Sequence, residues 1–167
     1  MAIIKLGINS GAGKVLQVVQ TYKTDTFQTT ATSLTDITGL SVTITPSATS
    51  SKILIHTNVA GASRASAGGN ITLLRGTTVI GRAATASSRS LSSLSGNLWI
   101  NSAHDDTRTM VGNFLDSPSS TSALTYKIQG KNGSGGAINI NTTNNDTDSE
   151  DVPGRMTSSI TVMEIAG

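Results

Sequence analysis

The stretch "LSVTITPSATSSKILIHTNVAG", residues 40–61, decides the fold class of this chain. Apolar and polar residues alternate with a period of two on both sides of a Ser-rich break, which is typical of two half-buried β-strands. In the first strand Leu40, Val42 and Ile44 are predicted to face the core. Pro46 ends this strand because proline cannot donate to a strand ladder. The inward residues of the second strand are predicted to be Ile53, Ile55, Thr57 and Val59.

Similar short patterns recur along the rest of the chain, and no stretch keeps a helical period for three turns. Gly- and Ser-rich segments separate the patterns, so roughly ten to twelve short strands are predicted, as in a sandwich or barrel. We predict an all-β chain with a β-sandwich domain over residues 14–167 and a short extended N-terminal arm over residues 1–13. The other strand segments are "KVLQVVQTY", "TFQTT", "NITLLRG", "TVIG", "NLWINS", "TMVGNFLDS", "LTYKIQGK", "AININT" and "SSITVMEIAG".

Composition disfavours two classes of partner. Only 13% of the 167 residues are charged, and the formal net charge is +2. The Lys and Arg residues are scattered singly, whereas nucleic-acid surfaces cluster them. No apolar run approaches the length of a transmembrane helix, and the N-terminus lacks the apolar core of a secretory signal. We therefore expect neither nucleic acid nor membrane as a partner.

The segment "GAGK", residues 11–14, raises the question of a phosphate-binding loop. Such a loop requires G-x-x-x-x-G-K-[ST] between a strand and a helix. The first glycine position is occupied by Ile8, and Val15 follows Lys14 without a hydroxyl for a metal ion. A strand pattern comes next, so no helix N-terminus would receive a phosphate. We interpret the segment as a flexible joint before the first strand.

Acidic and histidine residues offer weak candidates for chemistry. Asp146, Asp148 and Glu150 alternate as in a calcium loop, but the mid-loop Gly and distal Glu of an EF-hand are missing. We expect a solvated acidic loop there and keep the three residues as weak metal candidates. His104 beside Asp105 and Asp106 lacks a nucleophile motif, and His56 is expected on a partly exposed strand or interface. We predict no catalytic residue and no cofactor.

The strand motifs resemble a module of tailed-phage virion proteins from marine and cyanobacterial phages. The resemblance covers nearly the whole chain from Gly13 to Ala166, and it implies a jelly-roll-like antiparallel sandwich that is a homotrimer on the virion surface. It implies no enzyme and no catalytic residues. The motifs that carry it are "VLQVVQ", "DITGLSVTITP", "SKILI", "FLDSP", "TYKIQ" and "ITVMEI".

The resemblance leads to one main functional expectation, a trimeric capsid decoration (cement) protein on a phage head. The protein would be made in the host cytoplasm and would bind the major capsid protein or another virion protein. Only about a dozen residues precede the module, so we expect the arm itself to attach through Ile3, Ile4 and Leu6. Both faces of the first strand are partly apolar and are expected to be covered, so the residues expected in core or trimer packing are Val15, Leu16 and Val19.

Two other functions remain open from the sequence. A receptor-binding tip of a tail or head fibre would recognise a host surface glycan through the Gly/Ser-rich loops at residues 61–70 and 130–136. An enzyme such as a depolymerase would need carboxylates clustered at a groove. The candidates for that cluster are Asp105, Asp106 and the loop at residues 146–151.

Overall fold

The computed structural model describes residues 13–63, 69–84, 87, 92–93, 107–133 and 136–167. Within these ranges the chain forms ten β-strands. No helix in this part of the chain is long and apolar enough to cross a membrane. The strands are β1 (Val15–Lys23), β2 (Phe27–Thr29), β3 (Thr35–Ile44), β4 (Lys52–Ser63), β5 (Gly69–Arg75), β6 (Thr78–Val79), β7 (Arg108–Asp116), β8 (Leu124–Asn132), β9 (Ile138–Ile140) and β10 (Ser158–Ile165).

The strand pairing is that of a jelly roll. β1 pairs with β10, β3 with β8, β4 with β7 and β5 with β6, all antiparallel, as in one long hairpin whose pairs are nested. Folding that hairpin over itself gives two sheets, one built on β1-β10-β4-β7 and the other β3-β8-β5-β6. The first sheet has six strands, because β9 also pairs with β4 and β2 pairs with β9. The predicted antiparallel, jelly-roll-like β-sandwich is confirmed.

The core lies between the two sheets and follows the predicted alternation. On β3 the predicted inward residues Leu40, Val42 and Ile44 are buried, as is Ile37, and the alternate residues between Leu40 and Ile44 face solvent. On β4 the inward residues predicted from the sequence are all buried. Because successive side chains of a strand point to opposite faces, this pattern fixes which residues of β4 face outward. The rest of the core is aliphatic, with Met110 and Tyr126 as its largest additions.

One inward-facing row of the first sheet carries two buried carboxylates. Gln17, Glu164, Ile53 and Asp116 lie directly opposite one another across β1, β10, β4 and β7. Glu164 Oε1 accepts hydrogen bonds from the backbone N–H of Ser47 at 2.7 Å, from the Ser47 hydroxyl at 2.6 Å and from the Ser51 hydroxyl at 2.7 Å. Its Oε2 accepts one from Gln17 Nε2 at 2.7 Å. Glu164 therefore fastens β1 and β10 to the turn between β3 and β4.

Asp116 ties the other end of that row to the second sheet. Its Oδ2 accepts a hydrogen bond from Tyr126 on β8 at 2.8 Å and forms an ion pair with Arg75 on β5 at 2.7 Å. Burial, together with the neighbouring carboxylate, raises the pKa of the Tyr126 hydroxyl, so it stays protonated and donates. One row thus holds the β3–β4 turn through Glu164 and the opposite sheet through Asp116.

Asn141 stabilises the point at which the strand paired with one edge of β4 changes from β10 to β9. β7 lies along one edge of β4, while β10 and then β9 lie along the other edge. Between them Asn141 adopts a φ of 61°, donates through its side chain to the carbonyls of Lys23 and Asp25, and accepts from Ser158 at 2.6 Å. The Ser158 hydroxyl also accepts the backbone N–H of Ala60. These bonds satisfy backbone groups that the exchange would leave unpaired.

The two Gly/Ser-rich loops are shorter than the sequence suggested. Residues 61–63 belong to β4 and residues 69–70 to β5, while residues 130–132 belong to β8. Gly61 is paired with strands on both sides, and a Cβ there would lie 2.1 Å from the carbonyl oxygen of Asn139. Glycine marks a close backbone approach inside a strand here, so treating it as a loop signal was wrong.

Glu164 generates a prediction about acid stability. Burial alone would raise its pKa, but the hydrogen bonds from Ser47, Ser51 and Gln17 outweigh burial and hold the pKa at about 2. The unfolded value is near 4.5, so this stabilisation is complete above that pH and is lost as pH falls toward 2. It amounts to roughly 3 kcal/mol.

We expect Glu164→Gln to lower the free energy of unfolding at pH 7 by about 1–3 kcal/mol. Urea unfolding at each pH should also show that the variant loses less stability than the wild type between pH 5 and pH 2.5. The difference between the two losses should be about 3 kcal/mol at most. Glu150→Gln, in an exposed loop, is the matched control. Parallel pH profiles for wild type and Glu164→Gln would contradict this role.

Candidate functional site

The outer face of the β1-β10-β4-β7 sheet carries an apolar patch at one end. Val18, Met163, Leu54 and Leu115 lie opposite one another across all four strands. The next row toward the end of the sheet begins with Val15 opposite Ile165 and continues on β4 with Lys52, whose Nζ donates to the Ser117 hydroxyl at 2.9 Å. Val18 and Leu115 are 56% and 53% exposed. Leu16, at an irregularity of β1, is also exposed. These residues together are the apolar patch: Val15, Leu16, Val18, Leu54, Leu115, Met163 and Ile165.

The patch is exposed because the other side of each strand fills the core. Val19 of β1 packs against the core cluster, as do Val162 and Ile55 opposite it. With a side-chain period of two, residues one position away must point outward. Large contiguous apolar surfaces are uncommon on soluble proteins and mark contact sites. The geometry therefore favours a protein-contact role for this face.

Two further rows continue the face away from the patch. Gln20, Thr161, His56 and Asn113 form the first, and Tyr22, Ser159, Asn58 and Val111 form the second. Gln20 donates to Thr161 at 2.7 Å, and the Tyr22 hydroxyl donates to Thr157 at 2.7 Å. No Asp, Glu, Lys or Arg occupies the twelve positions of the three rows from Val18 to Tyr22. Polar groups are present in these three rows, but fixed charge is not; on the same face Lys52 lies opposite Ile165 in the end row.

The outer face of the other sheet has a different character where β3 meets β8. Thr43 and Thr125 share a hydrogen bond at 3.0 Å, and Lys127 forms an ion pair with Asp36 at 2.8 Å. Hydrogen bonds from Lys127 and Gln129 lower the pKa of Asp36. Hydroxyls and charges of this kind are suited to water, so the two outer faces of the sandwich differ in what they can contact.

The two ends of the sandwich also differ. The N–H of Gly13 donates to the carbonyl of Ala166, which places the start of β1 beside the end of β10 and next to the patch. At the far end Gly69 pairs with Asn132, and Ser63 pairs with Ile138. The residues that flank both Gly/Ser-rich loops therefore lie together, roughly 36 Å from the patch end by the length of β4.

The acidic loop is organised by an arginine. Asp146 receives two hydrogen bonds from Arg155, at 3.1 Å to Oδ1 and 2.7 Å to Oδ2, and also accepts from Thr142. These bonds, that of Arg155 foremost, lower the pKa of Asp146. The loop borders an open groove of about 430 Å³ lined also by Asp148 and Pro153. Within the described ranges no three His, Asp or Glu side chains are grouped to hold a metal ion.

The structure distributes the residues singled out in the sequence. Val15 and Leu16 lie in the apolar patch, whereas Val19 faces the core. His56 is exposed on the outer face, and Lys14 precedes a strand and no helix. Asp148 and Glu150 lie in an exposed loop. Those outside the described residues are Ile3, Ile4, Leu6, His104, Asp105 and Asp106, as is the predicted strand "NLWINS".

The covering expected for both faces of β1 is absent from the described part of the single chain. The inner face packs on the core, but Val18 and Tyr22 on the outer face are 56% and 60% exposed. Sequence reasoning also missed Leu54, Leu115 and Met163 as members of one surface. The available signal was a large apolar residue at the outward position of each alternating strand.

Comparisons with known proteins give distant likenesses only. No family model matches the chain, and a search of curated proteins finds no match. Among solved structures, the crystal structure of the infectious bursal disease virus VP2 subviral particle is 12% identical, with a TM-score of 0.44. The structure of the infectious bursal disease virus Gx strain is 11% identical, with a TM-score of 0.43. Each alignment covers 100% of this chain but 42% of the other chain. A likeness this distant carries no inference about function.

The acidic loop generates a second prediction. Because Arg155 engages both carboxylate oxygens of Asp146, a calcium ion would have to displace a guanidinium. We expect calcium chloride at about 5 mM to leave the Tm unchanged, whereas a site with a Kd near 50 μM would add about 2.7 kcal/mol. Differential scanning calorimetry with calcium or with EDTA measures this. A calcium-dependent rise of several degrees that Asp148→Asn abolishes would contradict the expectation.

Proposed function

We propose that this chain is a non-enzymatic structural protein of a virion surface. In the finer form of the proposal it is a capsid decoration protein of a tailed phage, present as a homotrimer on the head. It would be made in the host cytoplasm and would act by bridging neighbouring capsid subunits. The sequence motifs that resemble tailed-phage virion modules support the virion assignment, and the jelly-roll pairing agrees with the fold that this resemblance implies.

The observation that supports this proposal most is the division of the surface. One outer face carries the apolar patch and three rows without fixed charge, while the β3–β8 face presents hydroxyls and charges. Such a surface suits a protein that contacts a partner through one face and is hydrated on the opposite face. A decoration protein has these two requirements.

The position of the chain start agrees with attachment through the arm. Gly13, the first described residue, is bonded to Ala166 at the patch end, which is the end remote from the residues that flank the Gly/Ser-rich loops. An apolar segment can attach by adding to the edge of a sheet in a neighbouring protein. We propose that Ile3, Ile4 and Leu6 make this attachment to the major capsid protein or to another virion protein.

A receptor-binding tip is the second candidate function, and one observation favours it. The residues that flank the loops at 61–70 and 130–136 are paired with each other at the end remote from the chain start. Loops grouped at one end of a rigid sandwich are a common arrangement for recognition. In this alternative the loops would bind a host surface glycan and the arm would join a fibre.

We expect Ile4→Asp to leave the domain folded and to weaken attachment to undecorated phage heads at least about tenfold, because it places a charge on an apolar anchor. Purified chain is mixed with heads of the encoding phage that lack it, and bound protein is counted after pelleting. Asn9→Asp, which changes the charge of the arm by the same −1 at a polar position, is the matched control. Unchanged occupancy by Ile4→Asp would show that this residue is not the anchor.

The same chains mixed with host cells separate the two functions. Saturable binding to heads that is lost without residues 1–13 supports decoration. Binding to cells that survives this deletion supports the receptor-binding tip and contradicts the capsid assignment.

A further inference from the structure

A polar pocket lies beside β2, β9 and the segment that follows β9. Gln28 of β2 and Asn139 of β9 are directly opposite each other, and Gln28 Nε2 donates to Asn139 Oδ1 at 2.7 Å. Asn139 Nδ2 in turn donates to Asn144 Oδ1 at 3.3 Å. This row of three carboxamides borders a cavity of about 230 Å³, which we call the amide pocket. Its other lining residues are Thr26, Phe27, Thr142, Thr143, Asn145 and Asp146.

We propose that the amide pocket binds one ring of a neutral glycan, and that the adjoining groove along the acidic loop receives the next ring. The two cavities share Thr143 and Asp146 in their linings. The site consists of different residues from the Gly/Ser-rich loops at 61–70 and 130–136. The inference goes beyond the proposed structural role, because it holds whether the chain covers a phage head or ends a fibre.

Hydrogen-bonding capacity is the first reason to choose a glycan. A carboxamide carries two N–H donors and a carbonyl acceptor, and the row itself uses one N–H of Gln28 and one of Asn139. Among the described residues, Gln28 Oε1 and Asn144 Nδ2 have no hydrogen-bond partner. Sugar hydroxyls both donate and accept. An acceptor at one end of the row and a donor at the other therefore match a ring that carries several hydroxyls.

The pocket is also fixed before any ligand binds. Asn139, Thr142 and Thr143 are all buried. Thr143 Oγ1 accepts the backbone N–H of Asp146 at 3.0 Å, and Arg155 holds the Asp146 carboxylate at 2.7 Å. These contacts keep Asp146 at a φ of 48°, which is uncommon for a residue with a side chain. Polar groups held in one arrangement lose little conformational freedom on binding.

Charge and polarity exclude other classes of ligand. None of the described residues that line the amide pocket is a Lys, Arg or His, and Arg155 in the groove is engaged by Asp146. A phosphate, a sulfate or an acidic sugar would therefore meet Asp146 and Asp148 without a free cation. An apolar ligand would leave the carboxamides desolvated and unpaired, which is costly. A neutral ligand rich in hydroxyls has neither disadvantage.

Phe27 adds an apolar contact beside the carboxamides. It lies opposite Ile140, packs half-buried against the core and lines the pocket. The C–H face of a sugar ring can pack on an aromatic side chain while the hydroxyls bond to polar groups. The pocket is also accessible when the apolar patch is covered, because Asn139 lies opposite Ala62, at the end of β4 remote from the patch.

Nuclear magnetic resonance of the side-chain amides tests the inference directly. The full-length chain, labelled with ¹⁵N, is titrated with the methyl glycosides of glucose, galactose, mannose and N-acetylglucosamine, each to about 50 mM. We expect at least one glycoside to shift the side-chain NH₂ signals of Gln28, Asn139 and Asn144 saturably, with a Kd on the order of 1 mM. N-acetylneuraminic acid, an acidic sugar, should shift none of them over the same range.

Two pocket variants and one control locate the binding. Asn144→Asp is isosteric and keeps an oxygen that accepts from Asn139, but it removes both N–H donors. Gln28→Ala removes the other end of the row at an exposed position. Each should weaken binding at least about tenfold. Asn113→Asp makes the same change on the exposed outer face of β7 and should bind like the wild type. Circular dichroism verifies that each variant is folded.

Three results would overturn the inference. The first is no saturable shift with any of the four neutral glycosides. The second is tighter binding of N-acetylneuraminic acid than of every neutral glycoside. The third is binding that both pocket variants retain, since another surface would then hold the sugar. Asn144→Asp should attach to undecorated heads like the wild type, so a failure of glycan binding leaves the proposed structural role to be judged by head binding alone.

Discussion

The row Gln17–Glu164–Ile53–Asp116 is the constraint on which the rest of the structure depends. Its two buried carboxylates fasten the β1-β10-β4-β7 strands to the turn between β3 and β4, through Ser47 and Ser51, and to the opposite sheet, through Arg75 and Tyr126. A slip of one residue in any of these strands would turn its core residues outward. It would also leave a buried carboxylate without donors, which is expensive in a low-dielectric interior. The same register aligns the apolar residues of the outer face into one patch.

This register also makes the two ends of the sandwich different from each other. Asn141 and Ser158 close the sheet where β10 gives way to β9, and beyond that point β4 continues toward the Gly/Ser-rich loops. The patch and the start of β1 lie at one end, and the loop flanks lie at the other. A subunit with an apolar patch at one end and small polar loops at the other is suited to a crowded surface on which one side is packed and the remainder stays hydrated.

Much of the fold could be predicted from the alternation in residues 40–61, because burial of one strand face imposes a period of two on the sequence itself. The patch could not be predicted, since it depends on which strands are neighbours. Val18 and Met163 are far apart in the sequence, and only the nested pairing of β1 with β10 brings them together. The alternating acidic residues at 146–150 suggested a metal-ion site, but Asp146 forms an ion pair with Arg155. Arg155 lies in a loop whose path no local sequence pattern specifies. Gly61 shows the same limit, because its close neighbour Asn139 comes from a distant strand.

The claim that the patch is covered in the assembled protein while the β3–β8 face stays open can be measured directly by thiol labelling. The chain contains no cysteine, so Leu115→Cys and Thr43→Cys each introduce a single thiol on one outer face. The rate of maleimide modification would be compared between dilute chain and assembled virions. We expect assembly to slow labelling at position 115 at least about tenfold, because a buried thiol is reached only on opening, and to leave position 43 unchanged. Equal labelling of position 115 in both states would contradict the account.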